Sequence, residues 1–307
     1  MSLIDEVRHT CAQIANDARW VRIERDALAD YARSLPTSVA DLRPDPELAL
    51  LAGPREARAA FALTLDAINF GSGWWPEIRK RPGRSGFATM ALGLRERFDA
   101  HGPWPADALA QTTAAEVAEA LGQVPGHALM SLYAESLRDL GERIEREHGG
   151  SFAAVADADD GSAAALVDRL AGWPCFADFS RHRGRRVPFL KRAQIACADL
   201  HHAGVVGFAD LHRLTLFADN LVPHVLRVDG VLTYDSELLA RIEAGRLLEH
   251  GSEEEVEIRA CAVEAVERMT LARPGLSAQV FDHVLWNRGR GERYKSQPRH
   301  RSRCTAY

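Results

Sequence analysis

An all-α fold is predicted from three features of the chain. Ala, Leu, Arg and Glu, all strong helix formers, are abundant. Apolar residues recur at three- and four-residue steps, as in Ile4, Val7, Cys11, Ile14 and Ala15, which gathers them on one helix face. Strand-like alternation is rare, so a minor hairpin at most is expected.

The elements follow in order. Leu3 to Arg25 reads as one amphipathic helix. Pro36, Pro44 and Pro46 break the next stretch, and a second helix is expected from about Glu47 to Asn69, with Gly53-Pro54 as a point of interruption. In the stretch 67–76, two tryptophans sit beside two glycines and a proline, which ends the helix and leaves an aromatic loop that water does not fully cover. Gly83 to Gly86 forms a turn. Helices are expected over Phe87–Ala100, Thr113–Leu121 and His127–His148, with Pro103 and Pro105 in a loop between the first two. Asp157 to Gly161 lacks the ligand spacing and closing Glu of a calcium loop and reads as a solvated helix start.

Ser180 to Val187 reads as a short basic loop, and a helix follows from Pro188 through Asp199. Phe208 to Phe217 reads as a helix with Asp210 near its start. It stops around Ala218-Asp219-Asn220, because Pro223 disfavours helical geometry at Val222, and a further helix begins near Pro223. Val228 to Tyr234 is the one candidate hairpin, with Asp229-Gly230 as its turn. Ser252 to Glu255 is a capping box ahead of a long helix whose wide apolar face, from Val256 to Met269, makes it central. The tail from Arg288 to Tyr307 is basic and rich in turn residues. No linker stands out, so residues 1–307 read as a single composite helical domain.

Composition narrows the function classes. The 307 residues are 46% apolar and 26% charged, a globular balance. A chain of this length buries about 75% of its unfolded surface and needs neither disulfide nor metal to hold its fold. The five cysteines, Cys11, Cys175, Cys197, Cys261 and Cys304, are scattered without a CxxC, which suits a reducing compartment. Net charge is -5, from 38 Lys plus Arg against 43 Asp plus Glu, and opposes direct nucleic-acid binding. No apolar run reaches the roughly 18 residues of a membrane span, and the N-terminus lacks the order of a signal peptide, so a cytoplasmic protein is expected. There is no GxSxG, no GxxxxGK[ST], no HExxH and no dinucleotide fingerprint, so neither metal nor organic cofactor is expected.

Two stretches carry chemistry: Phe189-Leu190-Lys191-Arg192-Ala193-Gln194-Ile195 and Phe217-Ala218-Asp219-Asn220-Leu221-Val222-Pro223. Taken alone, each is ambiguous: a lysine such as Lys191 more often snorkels at the surface, and an Asp-x-x-x-Pro such as Asp219 more often caps the next helix. Together with Gly251 to Cys261, which contains Glu-Val-Glu-Ile-Arg-x-Cys, and a basic end closing on Tyr307, they resemble the queuosine salvage protein family. Trp173 to Phe176 and Asn69 to Trp75 look like further family features. The match runs from about Ala67 to Tyr307 and is dense from Trp173 to Cys261.

That resemblance implies a helical fold similar to helix-hairpin-helix DNA glycosylases and hydrolysis of queuosine or its 5′-monophosphate to free queuine. It implies Asp219 as the catalytic aspartate and Lys191 as the active-site lysine. The family's penultimate position is often tyrosine; here it is Ala306, so any contact that position makes with ligand differs in this chain.

The residue types suit the chemistry. Cleaving an N-glycosidic bond puts positive charge on the sugar, and a carboxylate such as Asp219 stabilises it, traps it covalently or activates water. A 7-deazapurine has no N7 to protonate, so the leaving base needs a cation or donor; Lys191 either supplies it or tunes Asp219. Asp199 lies eight residues beyond Lys191, within about 80° on the helix surface, and is a second candidate for the base. Trp74, Trp75, Phe179 and Phe217 are candidates for stacking on the base, with core packing as the alternative for each. Asn69 and Tyr307 complete the expected substrate contacts. Arg301 and Arg303 offer paired donors for a 5′-phosphate, against a simple solvated basic end. The expected partner is one small nucleoside or nucleotide, bound by a monomer. Competing readings are a DNA glycosylase, which the net charge disfavours, and a non-catalytic helical scaffold, in which Asp219→Asn would be harmless.

Overall fold

The computed structural model describes residues 2–36 and 45–307; Pro44 lies outside them. In chain order the helices and strands are α1 Leu3–Asp17, β1 Val21–Ile23, α2 Leu28–Ser34, α3 Arg55–Ala67, α4 Gly86–His101, α5 Ala106–Leu109, α6 Ala114–Ala120, α7 Ala128–His148, α8 Phe152–Asp157 and α9 Ala163–Leu170. Then come β2 Phe179–His182, β3 Arg185–Pro188, α10 Lys191–His202, α11 Val222–Val228, β4 Leu232–Tyr234, α12 Ser236–Glu243, α13 Glu253–Ala272, α14 Ala278–Arg288 and α15 Glu292–Lys295. The protein is mostly helical, and its described strands make two small antiparallel pairs, β1 with β4 and β2 with β3.

The described chain separates into two compact units, each drawn from several stretches: residues 2–36, 178–191 and 212–304 in the first, 45–177, 192–211 and 305–307 in the second.

The first unit is built on α13, which packs against α1, α2, α14 and β1. Every residue of α13 from Glu255 to Val266 is buried, so the helix is central as its apolar face predicted. Ser252 caps it by accepting from the Glu255 N–H at 3.3 Å. The other half of the box is not formed: the Glu255 carboxylate accepts from the Gly251 N–H instead. Helix α1 buries Ile4, Val7, Cys11 and Ile14 along one face, and each fully buried Ile or Val contributes roughly 1.5–3 kcal/mol. It ends at Asp17, eight residues short of the expected Arg25. The reason is long-range: the buried Glu257 carboxylate accepts from the Arg19 and Trp20 N–H groups at 2.9 and 2.7 Å and turns the chain into β1. Helix α2 was not foreseen.

Five other expectations in the stretch 157–234 are corrected. Asp157 ends α8 and Ala158 to Gly161 lead on to α9, whose helix start belongs to Ser162. The basic stretch at Ser180–Val187 is the β2–β3 hairpin, with Arg183 and Gly184 both at positive φ (47° and 83°), the two-residue turn that matches strand twist. Pro188 closes β3, and α10 starts only at Lys191. Phe208–Phe217 is not an α-helix: a 3-10 turn covers Leu211–Arg213, because Asp210 is spent capping α9 and the Phe217 N–H donates to Asp282. Val228 to Tyr234 forms no hairpin of its own. Tyr234 pairs with Val21 and Leu232 with Ile23, a register no local pattern announces.

In the second unit α7 packs against α3, α5, α6 and α8. Helix α3 begins after Pro54, at the interruption expected there, so Glu47 lies outside it. Distant carboxylates start two helices: Glu56 accepts from the Phe152 and Ala153 N–H groups at α8, and Asp210 does the same for Ala163 and Ala164 at α9. All five cysteines of the chain are buried and unpaired with one another. Among the described residues no helix is long and apolar enough to cross a membrane.

Candidate active site

In the first unit the chain between Leu214 and Ala218 is buried and non-helical, and it delivers Asp219 to the start of α11. Asp219 is half-buried. Its Oδ1 accepts from the Leu221 N–H at 2.7 Å and the Val222 N–H at 3.0 Å, so the capping role is real. Its Oδ2 has no hydrogen bond among the described residues. One oxygen anchors the carboxylate and the other stays available.

Lys191 is 5% exposed, far from a snorkelling surface lysine, and is the first residue of α10. Its N–H donates to the buried Asp178 carboxylate at 3.1 Å. The residue before it, Leu190, is buried at φ 56°, a left-handed conformation that L side chains rarely adopt.

The structure adds a carboxyl group that sequence reasoning missed. Asp282 on α14 is buried, and its Oδ1 accepts from the Phe217 N–H at 3.1 Å. Burial raises its carboxyl well above the usual range, the Asp219 charge raises it further, and the Phe217 N–H and Lys191 act in the opposite direction. Asp219, Lys191 and Phe217 thus each lie close enough to act on Asp282. The signal for Asp282 lay in its neighbours: an Asp among Phe281, Val284 and Leu285, on the apolar stripe of a helix. Arg299 in the tail also reaches this place; burial lowers its guanidinium, Asp219 raises it, and Arg301 lowers it.

The other candidates in this unit are more peripheral. Phe179 opens β2 with the Arg186 guanidinium 3.8 Å over its ring. Arg301 is half-buried and donates to the Gly245 carbonyl at 3.1 Å, while Arg303 is exposed. The tail is no solvated basic end, because His300, Ser302 and Cys304 are buried, and the Asn220 side chain donates to the His300 carbonyl at 3.1 Å.

In the second unit Tyr307 lies beside the segment that carries Asn69, Trp74 and Trp75. The Gly71 N–H donates to the Tyr307 carbonyl at 3.1 Å. Gly71 has φ 119°, and a Cβ there would stand 2.9 Å from Leu129 and 3.1 Å from the Trp75 indole nitrogen. Trp74 is buried, and Trp75 packs so closely on the start of α4 that a Cβ at Gly86 would lie 2.4 Å from it. The Arg192 guanidinium, which donates to the Ala67 carbonyl at 2.6 Å, lies over the Phe70 ring. Asp199 is half-buried in a narrow cleft with Arg58, Phe61 and His202. A separate groove of about 460 Å³ between Arg81, Arg84 and Arg95 holds none of the candidate residues, and its arginines are paired with Glu96, Glu47 and Asp99.

An anchored carboxylate with an available oxygen, a second carboxyl that burial disposes to keep its proton, and a buried lysine are the equipment of an acid–base enzyme that stabilises positive charge. Similarity to known proteins agrees with that class. The profile of the queuosine salvage protein family matches residues 51–307. A protein of Sphaerobacter thermophilus named queuosine 5′-phosphate N-glycosylase/hydrolase is 35% identical over 97% of this chain and 96% of its own. Proteins of the same name from Dictyostelium discoideum and Bos taurus are 31% identical (82% of this chain, 79% of theirs) and 33% identical (56% of each). The chain belongs to the queuosine salvage protein family.

Proposed function

We propose that this protein hydrolyses the N-glycosidic bond of queuosine 5′-phosphate and releases queuine for reuse in tRNA modification. The observation that carries the reading is the convergence of Asp219 and Lys191 with Asp282 in one unit, in a chain whose relatives bear that activity in their names. Asp219 faces the anomeric carbon and stabilises or traps the cationic sugar through Oδ2. Asp282, whose hold on its proton is strengthened by burial and by Asp219, donates to the departing base, and Lys191 offsets the negative charge that builds on that base. Phe217 stacks on the base, and Arg301 and Arg303 take the 5′-phosphate. Asn69, Trp74, Trp75, Phe179, Asp199 and Tyr307 are proposed as further substrate contacts, each read out by the KM of its alanine variant.

We propose further that residues 1–307 act as one functional domain of helix-hairpin-helix glycosylase type, in the cytoplasm, as a monomer and without nucleic acid. Purified protein is incubated with queuosine, its 5′-phosphate and guanosine monophosphate, and the products are separated by chromatography. Queuine released from the 5′-phosphate in preference to the other two supports the proposal. Release from neither queuosine form rejects it.

A further inference from the structure

The buried charges next to Asp219 and Lys191 are arranged in a way that the proposed reaction does not yet use. Arg259, in the middle of α13, is fully buried. Its Nη1 and Nη2 donate to the two oxygens of Asp178 at 3.0 and 2.6 Å, the fork-to-fork geometry of a strong pair. Its third direction is also used: Nε donates to the Ala218 carbonyl at 3.0 Å, immediately before Asp219. Asp178 in turn holds the start of α10. Its side chain accepts from the Lys191 N–H, and its carbonyl accepts from the Phe189 N–H at 3.0 Å. The guanidinium lies 3.9 Å over the Phe189 ring, which closes the arrangement from the side.

These contacts form one chain of bonds from Ala218, through Arg259 and Asp178, to Lys191. Both ends are main-chain atoms that set the direction of a functional side chain. The left-handed Leu190 sits inside that chain of bonds. Such a conformation persists only where its surroundings over-determine it, and those surroundings are the Asp178 contacts on either side of it. A buried ion pair is weak evidence for stability, because desolvating two charges offsets most of their attraction. Placement of chemistry is the role its position suits.

We propose that Arg259 and Asp178 are a positioning pair that holds Asp219 and Lys191 in one fixed frame for glycosidic bond cleavage. The proposal rests on the hydrolase reading above. Neither residue touches substrate; each acts through the main chain next to a residue that does. Lysine at 259 keeps the charge but not the three-way fork, and asparagine at 178 keeps the shape but presents an N–H₂ where one acceptor stood.

The test measures kcat and KM for queuosine 5′-phosphate with wild type, Arg259→Lys and Asp178→Asn, each also in a Lys191→Ala background, with circular dichroism and thermal unfolding of every variant. Displacement of reacting groups by about 1 Å costs on the order of 10²-fold. Accordingly, kcat falls on that order in folded Arg259→Lys and Asp178→Asn while KM stays close to wild type. In the Lys191→Ala background the same substitutions cost much less, since part of what they position is already gone. Unchanged kcat in the folded variants, or equal losses with and without Lys191, overturns the proposal while wild-type turnover leaves the hydrolase reading standing. A wild type that releases no queuine overturns both. Should Arg259→Lys not fold, Asp178→Asn carries the same comparison.

Discussion

Asp219→Asn separates the two tasks that one carboxylate performs. The cap depends on Oδ1, which accepts two N–H groups at 2.7 and 3.0 Å. Asparagine caps about as well as aspartate. Losing a charge at the first turn of α11 costs about 0.3–1 kcal/mol, so unfolding is expected to shift by no more than that. The reaction feels a larger effect. One group placed against developing transition-state charge is worth about 10²–10³ in kcat, or roughly 2.7–4 kcal/mol, and Oδ2 is the available oxygen for it. The assay pairs queuine release, followed by chromatography, with urea unfolding of the same preparations. The expected result is a kcat lower by at least about 10²-fold, with the KM and the unfolding midpoint almost unmoved. A variant that keeps turnover within a factor of a few would refute the catalytic assignment and leave Asp219 a helix cap. Loss of kcat together with a collapsed midpoint would instead refute the claim that the two tasks are separable.

Three further outcomes follow from the same geometry. Asp282→Asn is expected to lose activity and gain stability: an aspartate with a raised folded value contributes stability at low pH that is lost as pH rises through that value, so the permanently neutral variant unfolds at higher temperature near neutrality and with a flatter pH dependence. An unaltered pH dependence of Tm would reject that account. Glu257→Ala removes the acceptor for the Arg19 and Trp20 N–H groups and the partner of His182 at 3.3 Å; about 3 kcal/mol of stability should disappear in denaturant titration, with turnover per folded molecule retained. Arg303→Ala is expected to slow turnover of the 5′-phosphate more than that of the nucleoside, and equal losses on both would reject a phosphate contact.

What the sequence made legible was helix faces and helix ends. The central place of α13, the break before α3 and the span of α7 all follow from period and capping chemistry, because those are decided within one or two turns of chain. Three of the errors share one cause. Helix α1 stops where a carboxylate 238 residues away takes its next N–H groups, and β4 is a strand only because residues 21–23 lie beside it. Asp210 and the Phe217 N–H, expected within a helix, are each claimed by a partner in a remote segment. A periodic pattern reports which face of an element is apolar; it carries no information about which distant segment supplies a polar partner.

The candidate site divides along the same line. Lys191 and Asp219 stand in motifs whose spacing survives in the linear chain, whereas no motif marks Asp282, a lone Asp that interrupts the apolar stripe of α14, a helix not foreseen from the sequence. That irregularity is the informative part. A carboxyl group on a buried face must be ionised with a partner, or neutral, or it costs the fold several kcal/mol. The surroundings of Asp282 favour the neutral form, through burial and the neighbouring Asp219. A polar residue that breaks a clean apolar period should therefore be treated as a proton-holding candidate whenever a second carboxylate is already suspected, since two carboxyls in one place can share a site only if their proton affinities are driven apart.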